Sequence, residues 1–406
     1  MSSENGSKQA FPPSITGDAG YPVGSVLDHA FGKGDPYTLG VEEEYQLLDC
    51  ETFDLVQHIE TMLEAVTGHE LEARINAELM QSVLEISTPV CHNAGDVMRW
   101  LTKLRGYVTE IANEKGTRVG SAGTHPFSLF ERQRITAKDR YRALIYQLQY
   151  VARRELIFGM HVHVAVDDPE KAVKVVNGLL PQLAPLLALS ASSPFWRGEP
   201  TGLASSRQMV FSAFPRSGPP PRFRDYADYA EVVGQLERSG CIADYTHIWW
   251  DIRLHPRLGT VEIRICDAVT RVEDAVAIAA YCQALVKQLC ERYDAGLEIP
   301  SYHRILTSEN KWLAARYGLE APLMDLASGK RNRVPVARLI RRTIGEIRPH
   351  ARELGSEREL EGILEILARG SSSDRQLRIY TANGDIVEVA REIADATERL
   401  PAPVEA

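Results

Sequence analysis

The sequence predicts an α+β fold in which a mainly antiparallel sheet carries helices on one face and charged side chains on the other. Several short segments alternate apolar and polar residues with a period of two, which indicates strands with two unlike faces. Two of these segments are joined by only four residues, 255–258, short enough for an antiparallel hairpin. From about residue 272 the pattern is almost entirely helical, so the C-terminal third is expected to be mostly helix.

The composition is that of a soluble globular protein: 406 residues, 44% hydrophobic and 25% charged. A net charge of −9, spread along the chain without a basic patch, argues against a nucleic-acid partner. No apolar run is expected to cross a membrane, and the N-terminus lacks the apolar core of a signal peptide. Six scattered cysteines without a CxxC pair favour reduced thiols and a cytoplasmic location.

The predicted organisation is one long domain between two tails. Residues 1–36, rich in Ser, Gly, Pro and Asp, are expected to be a mobile N-terminal tail. Residues 37–395 form the single domain, and residues 396–406 form the C-terminal tail. The sequence is compatible with a homo-oligomer and gives no direct signal for one.

The first predicted strand, residues 39–48, places Glu42, Glu44 and Gln46 on one face. Its apolar residues point to the other face, and Glu43 breaks the alternation. Two carboxylates at positions i and i+2 on one strand face repel each other, and a hard divalent cation between them removes that repulsion. A solvated acidic face explains this stretch, taken alone, equally well.

Four further predicted strands, at 82–88, 158–167, 249–254 and 259–267, repeat this division into an apolar and a polar face. A water-exposed face of an antiparallel sheet is the simpler interpretation. Such a face usually collects Lys, Thr and Ser, whereas this one has no Lys and is rich in Glu, His and Arg. We therefore predict a charged cavity. The residues expected to line it are Glu42, Glu44, Glu85, His161, His163, Arg253, Glu262 and Arg264.

Carboxylates with histidine and no cysteine pair suit Mg²⁺ or Mn²⁺ rather than structural zinc. Because Mg²⁺ usually bridges protein carboxylates and substrate phosphates, a phosphate-bearing substrate is expected. Arg207 and Arg264 can supply forked hydrogen bonds to a carboxylate or phosphate. Each residue alone has a simpler explanation: Glu85 as an ion-pair partner, His161 as a core histidine, Glu78 as a solvated helix residue.

Three other segments carry structural predictions. Residues 138–155 are expected to form one long helix, and residues 170–189 a helix broken at Pro181 and Pro185. The Pro- and Arg-rich stretch 214–224 is a candidate lid, with an ordinary surface loop as the alternative.

Short motifs run along the chain in a fixed order. They are GVEEEY at 40–45, EL at 78–79, SVLEIST at 82–88, GTHPF at 123–127, FGMHVHV at 158–164, SPFW at 193–196, RQMVF at 207–211, WDIR at 250–253, GTVEIRICDA at 259–268 and SDRQ at 373–376. Together they resemble the carboxylate–amine ligases of the glutamate–cysteine ligase type 2 group, and the resemblance runs from about residue 37 to about residue 390.

This resemblance implies a catalytic fold like that of glutamine synthetase, in which the polar face of a curved sheet lines a funnel. It implies ATP-dependent activation of a carboxylic acid, typically the γ-carboxyl of L-glutamate, as an acyl phosphate. An amine, cysteine being the best-known acceptor, then forms the amide. No covalent enzyme intermediate is required, in line with the absence of a nucleophile motif.

The resemblance also assigns roles to individual residues. Two or three Mg²⁺ or Mn²⁺ ions would be held by Glu42, Glu44, Glu78, Glu85, His161 and Glu262. Arg207 and Arg264 would act catalytically on the acid and the transferred phosphate. His163, Trp250 and Arg253 are substrate-binding candidates, and Arg375 is a nucleotide-binding candidate. Three alternatives stay open: another amine or peptide acceptor, a guanidino-kinase-like phosphotransferase, and a non-catalytic nucleotide or metal sensor.

Overall fold

A seven-stranded sheet in which every pair of neighbours is antiparallel forms the centre of the structure, a computed structural model describing residues 28–300, 302–328 and 332–401. The strands of the described residues are β1 Leu39–Asp49, β2 Ile75–Ala77, β3 Val83–Ser87, β4 Thr117–Gly120, β5 Met160–Ala165, β6 Phe195–Trp196, β7 Glu199–Pro200, β8 Ser217–Gly218, β9 Trp249–Trp250, β10 Ile252–His255, β11 Thr260–Ile263, β12 Pro322–Met324 and β13 Arg333–Pro335. The order in the sheet is β10, β11, β5, β1, β3, β2, with β4 also paired to β1.

Most of the helices pack on the apolar face of this sheet or on one another. They are α1 Ile59–Val66, α2 Ala94–Glu114, α3 Asp139–Leu148, α4 Tyr150–Arg153, α5 Pro169–Leu179, α6 Leu183–Ser190, α7 Arg207–Phe211, α8 Tyr226–Arg238, α9 Val272–Asp294, α10 Arg304–Tyr317, α11 Val336–Glu353, α12 Glu357–Arg369, α13 Ser372–Asn383 and α14 Ile386–Glu398. The central helix α9 is buried along most of its length, packing against α2, α5, α11 and α12. The predicted α+β architecture, with a mostly helical C-terminal third, is confirmed.

The strand β1 has the two faces that its sequence predicts. Val41, Tyr45 and Leu47 are buried in the core beneath the helices. Glu42 and Glu44 point the other way and remain partly exposed. Burying the apolar face of β1 therefore holds its two carboxylates on the opposite side of the sheet.

Glu43 breaks the alternation of β1 because it has a partner in the helical layer. Arg105 of α2 donates from Nε to Glu43 Oε2 at 2.9 Å and from Nη2 to Oε1 at 2.5 Å. The Tyr45 hydroxyl also donates to Glu43, and both ionic side chains are almost fully buried. The forked ion pair compensates the desolvation of a charge that would otherwise be costly inside the core.

The predicted hairpin between β10 and β11 is present and antiparallel, pairing Ile252 with Ile263 and Arg253 with Glu262. Gly259 in its turn has a φ of 66°, and a Cβ there would lie 2.5 Å from the carbonyl oxygen of Ala30. Only glycine combines that backbone conformation with so close an approach. The turn thereby fixes the position of Glu262 on the polar face.

Four details differ from the sequence predictions. The helix expected over 138–155 is two helices, because Gln149 between α3 and α4 has a φ of 51°. Pro181 breaks the next helix as predicted, whereas Pro185 lies in the first turn of α6 without breaking it. The strand expected over 249–254 is interrupted at Asp251, whose buried carboxylate accepts from Lys311 Nζ at 2.7 Å.

The fourth difference concerns the SDRQ motif, for which the family resemblance implies a loop. It lies in the first turn of α13, where Ser371 and Asp374 form a reciprocal capping box. The stretch 214–224 is a loop, held at one point by the parallel pairing of β8 with β9 and at another by Asn177 Nδ2, which donates to the Phe223 carbonyl at 2.7 Å.

Parts of both predicted tails lie within the described residues. Residues 1–27 and 402–406 lie outside the described part of the chain, but residues 28–36 pack against it. Phe31 is buried, and the Ala30 N–H donates to the Pro256 carbonyl at 2.8 Å. At the other end, Glu398 accepts from Arg118 Nε at 2.8 Å.

One segment, Pro169–Ser190, is long and apolar enough to span a membrane, contrary to the expectation from sequence. Its most apolar stretch is 78% buried inside the protein, as in the core helix of a soluble domain, so it is weak evidence for a membrane span. All six cysteines are free thiols.

Candidate active site

The polar face of the sheet borders a cavity of about 310 Å³, called the central cavity below. Acidic residues from β1 and β3, and from the segment after β2, converge on it from one side. Basic and aromatic residues form the other sides of the cavity. The lining residues are Glu42, Glu44, Glu78, Leu79, Glu85, Arg140, Tyr141, Leu144, Glu155, His161, Phe211, Phe214, Thr246, His247, Trp249, Arg253, His255 and Arg264.

The pairing of strands brings these acids together from distant parts of the chain. Glu44 lies opposite Glu85 in the β1–β3 ladder, and Glu42 lies opposite His161 in the β1–β5 ladder. Directly opposed residues in an antiparallel pair are close enough for their side chains to interact. Glu78 comes one residue after β2, which pairs with β3, and so reaches the same cavity.

A second cluster of possible ligands contains Glu42, His163 and Glu262, whose oxygen and nitrogen atoms lie within 4.8 Å of one another. His163 Nε2 is 3.6 Å from Glu42 Oε1 and 3.9 Å from Glu262 Oε1. This nitrogen is buried and has no hydrogen-bond partner. His161 Nδ1 lies 3.0 Å from Glu42 Oε2, so Glu42 stands between the two histidines.

The pKa values of Glu44, Glu78 and Glu85 are raised because these carboxyl groups are buried close together. Burial raises the pKa of Glu44 to about 7, and the neighbouring Glu78 adds to the rise. Burial, together with repulsion from Glu42, Glu78 and Glu44, raises the pKa of Glu85 well above its usual value. Burial raises the pKa of Glu78 as well. Several carboxylates at one point shift in this direction when no cation balances them.

Glu42 and Glu262 behave differently because they have basic partners. Burial opposes ionisation of Glu42, but the hydrogen bond with His161 and the nearby imidazole of His163 hold its pKa well below the usual value. Burial likewise opposes ionisation of Glu262, but Arg253 and Arg264 keep its pKa low. Burial lowers the pKa of His161 to about 4, so this imidazole is neutral near pH 7. Neutral imidazole is the form that can bind a metal.

The donor set fits a divalent cation. Carboxylates with the neutral imidazole of His161, and no thiol among the described lining residues, are ligands for Mg²⁺ or Mn²⁺. The unpaired Nε2 of His163 and the raised pKa values of the acids both indicate groups that a bound cation would satisfy. Two positions could hold such a cation. One is formed by Glu42, His163 and Glu262, and the other by Glu44, Glu78 and Glu85.

Arg207 lies at the deep end of the site, in a small compartment that it shares with Glu44, Glu78, His161 and Arg264. Its guanidinium packs against the backbone at Gly159, where an added Cβ would meet Arg207 Nη2 at 2.4 Å. The Gly159 N–H also donates to Glu44 Oε2 at 2.5 Å. Glycine at this position therefore places an arginine and a carboxylate side by side.

Arg207 is held from behind by a buried acid, Asp267. The Arg207 Nη1 atom is 3.9 Å from Asp267 Oδ1, and Asp267 also accepts from the hydroxyls of Ser193 and Ser205 at 2.7 and 2.9 Å. The Arg207 Nε atom is buried without a partner. A donor of this arginine thus remains for an anionic ligand.

The other two predicted arginines share Glu262. Arg253 donates from Nε to Glu262 Oε2 at 2.5 Å and from Nη2 to Oε1 at 3.2 Å, while its Nη1 donates to backbone carbonyls. Arg264 Nη1 donates to the same carboxylate, and its Nε is buried without a partner. Arg253 is therefore committed to holding Glu262, whereas Arg264 keeps free donors beside the cavity.

The structure brings most predicted site residues together. Seven of them line the central cavity: Glu42, Glu44, Glu78, Glu85, His161, Arg253 and Arg264. Arg207 lines the deep compartment, and His163 and Glu262 lie directly behind Glu42. Trp250 does not reach the cavity: it is buried in the core, 5.5 Å from the ring of Phe223.

Arg375 also lies away from the cavity. It lines a separate hollow together with Arg271, Arg369 and Arg378, and its guanidinium is paired with Glu392. The motif that suggested a nucleotide contact forms the start of α13 instead. Gln376 of that motif donates to the Ser192 carbonyl at 2.9 Å, which connects α13 to the Asp267 network.

Several cavity residues escaped the sequence analysis. Glu155, Arg140 and Tyr141 come from a segment that was interpreted only as a helix. Burial raises the pKa of Glu155 to about 8. Trp249 lines the cavity where its neighbour Trp250 was proposed, because the alternation of β9 points Trp250 into the core.

A second space, the outer hollow, adjoins the first. It measures about 450 Å³, and Glu42 lines both spaces. Hydroxyl and backbone groups from Gly40, Thr88 and Thr260 line it together with His163. The outer hollow and the central cavity therefore meet at the Glu42 carboxylate.

Comparison with known proteins agrees with this arrangement. The profile of the family described as Glutamate-cysteine ligase family 2 matches residues 38–393. A Rubrobacter xylanophilus protein, provisionally named glutamate–cysteine ligase 2-1, is 45% identical over 361 residues, or 89% of this chain and 95% of the relative. A provisionally named glutamate–cysteine ligase 2 of Sorangium cellulosum is 44% identical over 85% of this chain and 92% of its own length.

Solved structures share the fold at low identity. Glutamate–cysteine ligase from Francisella tularensis, in complex with AMP, superposes with a TM-score of 0.63 at 13% identity, covering 91% of each chain. A bifunctional glutathione synthetase from Pasteurella multocida gives a TM-score of 0.63 at 16% identity, over 89% of this chain and 52% of that protein. On the family match and the close relatives, this chain belongs to glutamate–cysteine ligase family 2 and is an ATP-dependent carboxylate–amine ligase.

Proposed function

We propose that the enzyme phosphorylates the γ-carboxyl group of L-glutamate with ATP and transfers the resulting γ-glutamyl group to an amine. The observation that carries the proposal is the convergence of Glu42, Glu44, Glu78 and Glu85 on one cavity that also presents Arg264. A carboxylate is a poor electrophile, and phosphorylation supplies the leaving group that amide formation needs.

The two spaces suit two substrates that must meet. A nucleotide in the outer hollow would bring its terminal phosphate to Glu42, and an acid in the central cavity would approach the same point from the other side. AMP in the Francisella tularensis relative supports nucleotide binding by this fold. Divalent cations would neutralise phosphate charge and align the reacting oxygens.

The reaction would proceed in two balanced steps. An oxygen of the acid attacks the γ-phosphorus of ATP, and ADP leaves with the electron pair of the broken P–O bond. The amine, in its neutral form, then attacks the acyl carbon, the C–O bond to phosphate breaks, and inorganic phosphate leaves with that electron pair and takes up the proton that the amine loses. Arg207 and Arg264, each with an unpaired Nε, would stabilise the negative charge that develops on the transferred phosphoryl group and the acyl oxygen.

A direct test combines ADP release with product identification. Purified enzyme, ATP, Mg²⁺ and L-glutamate are assayed with a panel of amines, and the product is identified by mass spectrometry. We expect amine-dependent ADP release and a γ-glutamyl amide. A kinase would instead release ADP without an amine and leave a stable phosphorylated product.

Two substitutions in the acid cluster sharpen this test. Glu85→Gln and Glu262→Gln should each reduce ADP release at least about a hundredfold, since each removes a charge from the proposed cation sites. Glu231→Gln, at a side chain 61% exposed on α8, is the matched control and should retain wild-type activity. Full ADP release by Glu85→Gln would refute the proposed function.

A further inference from the structure

We propose that the acceptor is a primary amine with an apolar body and no carboxylate of its own, bound against an aromatic wall of the central cavity. This inference rests on the proposed function and specifies its second substrate. Three features of the cavity carry it: the wall itself, an unpaired carboxylate beside it, and the number of cationic groups that face the cavity.

The aromatic wall consists of Phe211, Phe214 and Trp249, all of which line the central cavity. Phe211 and Phe214 are stacked with ring centres 5.9 Å apart, and Phe214 meets Trp249 edge-on at 5.1 Å. The Arg216 guanidinium lies 5.2 Å from the centre of the Trp249 ring. These contacts hold the wall in place, and its surface favours an apolar body over a small polar one.

Glu155 supplies a recognition group for the amine. Its side chain lines both the central cavity and the deep compartment, where it faces the same space as Phe211 and Arg207. Its buried Oε2 atom has no hydrogen-bond partner. A protonated amine carries N–H donors that match such a carboxylate, so the ammonium end of the acceptor would lie at Glu155.

The balance of charge in the cavity argues against a carboxylate on the acceptor. Arg140, Arg253 and Arg264 line the cavity, and Arg207 lines the deep compartment. Arg253 is committed to Glu262 and to backbone carbonyls. The transferred phosphate and the α-carboxylate of the acid substrate would occupy the remaining three arginines.

The acidic side chains around the same space strengthen this argument. The carboxylates that line the central cavity are Glu42, Glu44, Glu78, Glu85 and Glu155. Of the two imidazoles near the aromatic wall, His255 has its pKa lowered to about 4 by burial, and His247 lies 3.7 Å from Asp244. A second carboxylate, as carried by an amino acid acceptor, would therefore find no uncommitted arginine to pair with among the described lining residues.

Four matched amines test the inference. Phenethylamine and L-phenylalanine differ by one carboxylate, as do cysteamine and L-cysteine. We expect phenethylamine to give a kcat/KM at least about tenfold above that of each of the other three. If the enzyme uses L-phenylalanine as well as or better than phenethylamine, or L-cysteine as well as or better than cysteamine, the proposal that the acceptor has no carboxylate is wrong. A higher kcat/KM for cysteamine than for phenethylamine would refute the proposal that the acceptor has an apolar body.

Hydroxylamine separates this inference from the proposed function, because it traps an acyl phosphate without needing the acceptor pocket. Hydroxamate formation from L-glutamate, with none of the four amines accepted, would refute the acceptor class and leave the ligase mechanism standing. Absence of both hydroxamate and ADP would refute the mechanism, and the acceptor proposal with it.

Substitutions in the wall provide a second readout. Phe214→Ala should raise the KM for phenethylamine about tenfold and leave that for cysteamine within about twofold, since only the larger amine reaches the wall. Trp249→Leu, at a half-buried position, covers the case in which Phe214→Ala does not fold. Ile305→Ala, at a side chain 64% exposed on α10, is the control. Equal loss for both amines in the folded variants would contradict the proposal.

Discussion

His163 Nε2 and Glu42 Oε1 face each other at 3.6 Å without a hydrogen bond between them, and Glu262 Oε1 lies 3.9 Å from the same nitrogen. Three ligand atoms this close, one of them buried and unpaired, form a place for a cation. We expect Glu42→Gln to weaken Mn²⁺ binding at least about tenfold in a calorimetric titration. Glu70→Gln, at a side chain 67% exposed, should bind Mn²⁺ like the wild type.

The same titration distinguishes two interpretations of Glu42. If Glu42 served only as a hydrogen-bond partner of His161, Glu42→Gln would retain Mn²⁺ affinity, because glutamine can still accept that bond. Unchanged affinity in the folded variant would thus contradict the proposed cation position.

Stabilisation of the fold by Mg²⁺ should increase with pH. Burial raises the pKa of Glu44 to about 7, whereas the unfolded carboxyl ionises near 4.5. Between these values the unfolded state releases its proton first, so rising pH destabilises the metal-free fold through this group. A bound cation offsets the charge, and the Tm gain from Mg²⁺ should be larger at pH 8 than at pH 6 in thermal unfolding. A smaller Tm gain from Mg²⁺ at pH 8 than at pH 6 would contradict the account.

The buried pair of Glu43 and Arg105 should be essential for folding rather than for catalysis. Arg105→Met leaves a buried carboxylate without its partner, and we expect a loss of about 3–5 kcal/mol in urea unfolding. Arg99→Met, which removes the exposed partner of Asp96 on the same helix, should change stability by less than about 0.5 kcal/mol. Similar losses for the two variants would refute the distinction between the pairs.

Gly159→Ala should impair activity while preserving the fold. The added Cβ would lie 2.4 Å from Arg207 Nη2, so the guanidinium has to move. A displacement of about 1 Å in a catalytic group costs on the order of a hundredfold in rate, measured here as kcat/KM for the acid. Gly345→Ala in α11 is a matched control, because its Cβ would meet nothing within 4 Å. Wild-type kinetics for Gly159→Ala would show that the position of Arg207 is unimportant.

The alternation of side chains along single strands predicted much of this site. The polar faces of β1, β3, β5, β10 and β11 are visible in the sequence because the apolar residues opposite them must be buried. Glu42, Glu44 and Glu85 could therefore be assigned to one face before their contacts were known. Order along the chain and family likeness added Glu78 and Arg207, which no strand pattern indicates.

What the sequence did not reveal depends on contacts between distant segments. Glu43 departs from the alternating pattern of β1 because it pairs with Arg105, 62 residues away along the chain. Asp251, where the strand is interrupted, pairs with Lys311, 60 residues away along the chain. The aromatic wall joins Trp249 to Phe211 and Phe214 from other segments, so it became visible only in the folded chain.

Transfer of oxygen from the acid to phosphate is the measurement that most directly tests whether this acidic cavity supports phosphorylation of a carboxylate. L-glutamate labelled with ¹⁸O in its γ-carboxyl group is turned over with ATP, Mg²⁺ and an accepted amine, and the inorganic phosphate is analysed by mass spectrometry. An acyl phosphate requires one ¹⁸O atom in each phosphate released, and this is the result we predict. Unlabelled phosphate accompanying amide formation would contradict the account.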